Sequence, residues 1–271
     1  MHRVAAIQLS STADVNANLQ TAAYLITQAV AEGAELVILP ENFALMGVPL
    51  SHFVAICEQP GHGLIQDFLS TQALRHNIWL VGGTIPLATT NPQKVRAACL
   101  LFDNNGQCIA RYDKIHLFDV TISHEEYYHE SATIEAGQQV TVIDTPIGRL
   151  GLAICYDLRF PELFRCMLDQ GVELIACPAA FTATTGKAHW DILIRARAIE
   201  NLCYLIAANQ VGQHGDRRET YGHSMIVDPW GIILNDLPSG TGIVCSDIAL
   251  EKLVDLRDRF PIQTHRKIFC Q

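Results

Sequence analysis

The sequence predicts an α/β protein in which two mixed β-sheets are flanked by helices. Short apolar runs rich in β-branched residues alternate with amphipathic stretches along the 271 residues, and ten such runs are many for a single sheet. The chain opens with a run at 4–9 and a helical pattern over 15–31. The run at 36–39 is apolar without alternation, as expected of a strand covered on both faces. A helical pattern over 64–76 precedes runs at 78–85 and 97–102. Asp103-Asn104-Asn105-Gly106 is then a hairpin signal, because Asn and Gly tolerate the positive φ of a tight turn, so an antiparallel pair is expected there.

Residues 123–130 read as a polar loop. Runs follow at 140–143, 150–155 and 174–177, the last two again without alternation. Pro161 opens a helix over 161–170, at a position where its missing N–H costs nothing. A helix over 188–201, apolar nearly all round, precedes runs at 203–208, 224–227 and 243–248 and a closing helix over 249–259. Doubly covered strands and a hairpin are both satisfied by two mixed sheets. No Ser/Gly/Pro-rich linker or charge block divides the chain, so a single domain spanning 1–271 is expected.

Hydrophobic residues make up 49% and charged ones 17%, against a typical charged share of about 25%, so the chain can bury a large core and is not intrinsically disordered. A net charge of −9 repels phosphate backbones and anionic lipid, which removes nucleic acid from the expected partners. Nine cysteines, an odd number set mostly in apolar runs, fit reduced thiols in a cytoplasm. No two lie within three positions of each other and no HExxH occurs, so no metal site is expected. No apolar run approaches ~18 residues and the first residues lack a signal-peptide core, so a cytoplasmic chain without membrane association is expected.

Three strand ends carry polar residues that a plain core does not need. In Leu39-Pro40-Glu41-Asn42 a carboxylate follows a buried strand; partial desolvation there would raise its pKa and suit it to proton transfer. In Tyr112-Asp113-Lys114-Ile115-His116-Leu117 a lysine is placed to project into a pocket as a fixed positive charge. In Cys155-Tyr156-Asp157-Leu158-Arg159-Phe160-Pro161-Glu162 a strand, an elbow and a helix start expose a thiol beside backbone N–H groups, which stabilise thiolate and oxyanion alike. Each has a plainer reading taken alone: a surface or capping glutamate, a solvated lysine, a buried structural cysteine. The last is weakened by Asp157, Arg159 and Glu162, which an inert thiol would not need. No GxSxG, GxxxxGK[ST] or GxGxxG occurs, so serine hydrolase, P-loop and dinucleotide-cofactor chemistry are not expected. For Arg195 and Arg197, pairing with Glu200 or another acid is expected.

Glu41, Lys114 and Cys155, in this order at three strand ends, resemble the nitrilase superfamily of carbon–nitrogen hydrolases over essentially the whole chain. The stretches Arg195-Ala196-Arg197-Ala198-Ile199-Glu200, Tyr221-Gly222-His223-Ser224 and Val227-Asp228-Pro229-Trp230-Gly231 resemble its Nit amidase branch. The resemblance implies a four-layer α-β-β-α sandwich of two mixed sheets. It also implies hydrolysis of a small ω-amide of a 2-oxo acid, with deaminated glutathione ranked ahead of 2-oxoglutaramate, through a cysteine thioester. Glu41 would be the base, Lys114 and the Tyr156 N–H the oxyanion donors, and Glu130, 25 positions before Cys155, a fourth catalytic residue, with Glu125 or Glu126 as register alternatives.

No cofactor is implied, and a homodimer or larger assembly is. Arg159, helped by Arg217 or Arg218, would contact the substrate carboxylate, unless Arg159 is tied up by Glu162 or Asp157. The rival readings are a true nitrilase and a non-catalytic binding or scaffold protein of the same fold. An intact Glu, Lys and Cys argue against the second.

Overall fold

The computed structural model describes residues 1–216 and 218–268. Strand β1 (His2–Gln8) leads into helix α1 (Val15–Ala31), whose start is set by the Asp14 carboxylate accepting the Ala17 N–H at 3.1 Å. Then come β2 (Leu36–Ile38), the short helix α2 (Ser51–Ala55) and α3 (Leu64–His76), which ends where Asn77 turns left-handed. Next are β3 (Trp79–Val81), β4 (Ile85–Ala88), β5 (Val95–Phe102) and β6 (Cys108–Asp113). A two-stranded ribbon, β7 (Asp119–Thr121) with β8 (Tyr127–His129), precedes β9 (Val142–Thr145), β10 (Gly148–Leu152), α4 (Pro161–Asp169), β11 (Leu174–Ala179), α5 (Ala183–Asn201) and β12 (Tyr204–Asn209). A second ribbon, β13 (Val211–His214) with β14 (Arg218–Tyr221), is followed by β15 (Ser224–Val227), β16 (Ile233–Leu237), β17 (Gly242–Ile248) and α6 (Leu250–Arg259).

Both sheets are mixed. In the first, β1, β2 and β3 run parallel, β17 is antiparallel to β1, and β5 carries β3 and β4 on one edge and β6 on the other. In the second, ordered β16-β15-β12-β11-β10-β9, a parallel centre of β10, β11 and β12 has antiparallel strands on both sides. Alternation along β1 defines the layers. Val4 and Ala6 join Leu152, Ala176 and Ile206 in the core between the sheets, whereas Ala5 and Ile7 face Leu25 and Ile26 of α1 and Leu69 of α3. The second sheet is covered by Phe164 and Met167 of α4 and by Trp190 and Ile194 of α5. The result is the four-layer α-β-β-α sandwich.

The helical patterns over 15–31 and 64–76 coincide with α1 and α3, and the Asp103–Gly106 signal is the β5–β6 hairpin, with Gly106 at φ +75°. Four expectations need correction. The run 78–85 divides at Gly82-Gly83 into β3 and β4. A Cβ on Gly83, at φ +58°, would lie 2.2 Å from the Pro40 carbonyl oxygen, so only glycine lets the chain pass behind the Glu41 loop. The run 150–155 ends as a strand at Leu152, and Cys155 already begins a 3-10 helix, Cys155–Arg159. The helix expected over 188–201 starts at Ala183, capped by Thr182, whose hydroxyl accepts the Thr185 N–H. The polar loop 123–130 contains β8, and Glu130 opens a 3-10 turn.

Candidate active site

Glu41, Lys114 and Cys155 follow β2, β6 and β10, so strand ends from both sheets deliver them to one place, 73 residues separating the first two in sequence. Lys114 Nζ donates to Glu41 Oε1 at 2.7 Å and to Glu130 Oε1 and Oε2 at 3.0 and 2.9 Å, and its side chain is 1% exposed. Glu41 Oε2 accepts the Ala180 N–H at 2.8 Å, at the end of β11. Glu130 Oε2 also accepts the Phe118 N–H at 2.8 Å. Of the register alternatives, Glu125 is exposed and Glu126 bonds Tyr128 and Thr184 instead of Lys114.

The elbow is held by Asp157, which is fully buried. Its carboxylate accepts from the Tyr112 hydroxyl at 2.7 Å, the Ile154 N–H at 2.8 Å and the His116 N–H at 3.2 Å, and the His116 Nδ1 lies 2.6 Å away. A carboxylate only accepts, so that ring nitrogen carries the proton. This bracing holds Cys155 at φ +47°, a conformation costing about 1–3 kcal/mol for a residue with a side chain. Tyr156 stands in the first helical turn, where N–H groups lack an intrahelical acceptor. The role of Asp157 was half-visible in sequence: it and Tyr112 and His116 lie in two of the motifs, but nothing along the chain pairs them.

Burial pushes the Glu41 carboxyl up, but the Lys114 charge and hydrogen bond, with Arg218 assisting, outweigh it and hold the group below its ordinary 4.5. This reverses the raised value expected from desolvation alone; the buried ammonium was the missing partner. Burial opposes the Lys114 ammonium, but Glu130 and Glu41 overcome it, so lysine stays charged. Burial and then the Glu41 charge push the Cys155 thiol well above 9.0, against Lys114 and the Ala180 N–H. The directions leave a thiol and a carboxylate in one pocket.

Phe118, Glu130, Tyr156, Ala180, Phe181, Thr182, Thr185 and Arg218 line the pocket together with Glu41, Lys114 and Cys155. Arg159 lies outside this lining. Its guanidinium packs over the Phe181 ring at 5.1 Å and the Tyr156 ring at 5.8 Å and meets His189 Nδ1 at 3.2 Å, so neither Glu162 nor Asp157 holds it. Arg217 falls outside the described residues. Arg197 pairs with Glu200 at 2.7 Å and Arg195 with Asp191 at 3.8 Å. Among the described residues no cluster of His, Cys, Asp and Glu could hold a metal ion, and no helix is long and apolar enough to cross a membrane.

A model of the carbon-nitrogen hydrolase family matches residues 3–258. The deaminated glutathione amidase of Synechocystis sp. (strain PCC 6803 / GT-S) is 44% identical over 268 residues, 97% of this chain and 97% of that protein. The Homo sapiens protein of the same name is 38% identical over 97% of this chain and 82% of its own length. Saccharomyces cerevisiae Nit3, a member of branch 10 of the nitrilase superfamily, superposes with a TM-score of 0.88 at 33% identity, over 98% of this chain and 97% of that one.

Proposed function

This chain belongs to the carbon–nitrogen hydrolase family, and on that premise we propose that it hydrolyses a small ω-amide of a 2-oxo acid, deaminated glutathione first, through a Cys155 thioester. The reading is carried by one observation: Glu41, Lys114 and Cys155 line one pocket, where the buried Lys114 ammonium donates to Glu41 at 2.7 Å. The Cys155 sulfur attacks the amide carbonyl as Glu41 takes the thiol proton. Lys114 and the Tyr156 N–H hold the oxyanion. Glu41 returns the proton to the departing amine, the C–N bond breaks, and a thioester remains. Glu41 then takes a proton from water as its oxygen attacks the thioester; the acid leaves and the proton goes back to sulfur. Glu130 keeps Lys114 charged and in place. Turnover needs Cys155 reduced, which suits the cytoplasm.

A substrate panel tests this. Deaminated glutathione should exceed 2-oxoglutaramate in kcat/KM, and both should exceed the corresponding nitrile. A tenfold preference for 2-oxoglutaramate, about 1.4 kcal/mol in transition-state binding, reverses the ranking.

The depressed Glu41 carboxyl has a pH consequence. A group lowered on folding keeps its charged form above its folded value, and loses both base function and its share of stability as pH falls through that value. The acid limb of kcat/KM should therefore lie below pH 4.5. A limb centred near neutrality would show that Glu41 is not held by Lys114 in this way.

The chain also pairs with itself. Ile199 of α5 packs at Gly231, Trp230 meets Phe260 at 5.6 Å, and Ile192, Ile199, Trp230, Ile232 and Phe260 are exposed, 43–66% each, beside the edge strand β16. So much contiguous apolar surface favours a twofold interface. Light scattering should give twice the chain mass and the double variant Ile199→Glu/Trp230→Glu a monomer; a monomeric wild type refutes the pairing.

A further inference from the structure

The space directly over Cys155 is small, about 10 Å³ of free volume, which is about what one water molecule needs. The reacting group can enter it, but a whole oxo-acid amide cannot lie there. Beside it opens a cleft of about 410 Å³ lined by Asn42, Met46, Pro49, Phe53, His214 and Asp216, within the size range of ligand sites. Asn42 is the residue after Glu41, and Arg218 lines both spaces. A substrate with its amide at Cys155 and its chain in the cleft passes Arg218.

The guanidinium of Arg218 is placed but not spent. One Nη donates to the Ala180 carbonyl at 3.0 Å, the same residue whose N–H holds Glu41, and the group lies over the Tyr128 ring at 5.3 Å. Its Nε is shielded from solvent and has no acceptor, and among the described residues it has no carboxylate partner. The other nearby cations are committed: Lys114 to two glutamates, Arg159 to His189 and two aromatic faces. A buried, uncompensated donor on a fixed planar cation is the arrangement a carboxylate completes with two parallel hydrogen bonds.

We propose that Arg218 is the specificity-determining residue that binds the carboxylate of the substrate's acyl portion at the junction of the Cys155 pocket and the cleft. The inference rests on the amide-hydrolase reading above and narrows it to acids. It points to the acyl side because a carboxylate there stays with the thioester through both half-reactions, whereas any group on the departing amine is lost after the first.

The test uses three primary amides of matched length: 2-oxoglutaramate, glutaramate, which lacks the keto group, and uncharged pentanamide. In Arg218→Met the ratio of kcat/KM for each acid over pentanamide should fall about 100-fold, mainly through KM, as expected for loss of a charged hydrogen-bonded pair. In Arg218→Lys it should fall about tenfold, since the charge survives without the fork, and this variant carries the test if the methionine variant does not fold. If Arg218 merely balances the charge of Glu41 and Glu130, all three amides decline together and the ratio stays within about threefold of wild type, which overturns the proposal. A wild type that treats glutaramate and 2-oxoglutaramate alike would instead refute the 2-oxo acid reading and leave the Arg218 result standing.

Discussion

Replacing Cys155 with alanine is expected to remove amide hydrolysis, lowering kcat by about 10⁴-fold or more, the order found when a nucleophile that works as a unit with its base is deleted. The far-UV spectrum should not change, because Tyr112, His116 and the Ile154 N–H still brace Asp157 and so the elbow. Burial alone does not mark this thiol. Cys203 is also pushed up, to about 12, and Cys99 and Cys177 higher still, each chiefly by burial. What distinguishes Cys155 is a pocket shared with Glu41, a carboxylate able to take its proton. Cys99→Ala and Cys203→Ala should therefore cost stability and leave kcat near wild type. Wild-type protein acid-quenched during turnover should show acyl mass on Cys155 alone. Substantial turnover by Cys155→Ala, or acyl mass on another cysteine, would sink the thioester mechanism.

The elements that could be read from sequence were those whose signals are local. α1 and α3 carry helical periodicity and end at residues that stop helices, and the central strands are apolar because both faces are covered. The elements that could not be read are the exposed or ribbon strands β7, β8, β14 and β16, whose residues mostly face water and whose extended form comes from a paired neighbour. The site divides in the same way. Glu41, Lys114 and Cys155 stand at strand ends and were visible there, together with Glu130 through family likeness. Arg218 was named as a carboxylate contact but only as a helper of Arg159, and its place in the pocket, like the bracing by Asp157, depends on contacts across more than thirty residues of sequence. The direction of the Glu41 shift was misjudged for that reason: desolvation can be guessed from a buried strand, whereas an ammonium 2.7 Å away cannot.

That ammonium is where the largest combined effect on folding and activity is expected. Lys114→Met keeps the length of the side chain and removes its charge, leaving Glu41 and Glu130 buried without the cation both contact. Removing one partner of a buried ion pair costs about 3–5 kcal/mol, which for a chain of this size lowers Tm by about 10 °C. Loss of an oxyanion donor costs about 10²–10³ in kcat. Without Lys114 the burial of Glu41 also goes unopposed except by Arg218, so its carboxyl rises, and the acid limb of any residual activity should move upward in pH. The double variant Lys114→Met/Glu130→Gln separates the two effects: by removing one of the stranded carboxylates it should recover part of the lost Tm, and it should recover none of the lost kcat. Equal recovery of both would mean that Lys114 serves only to hold the two glutamates together, and oxyanion stabilisation would then have to be reassigned to the Tyr156 N–H alone.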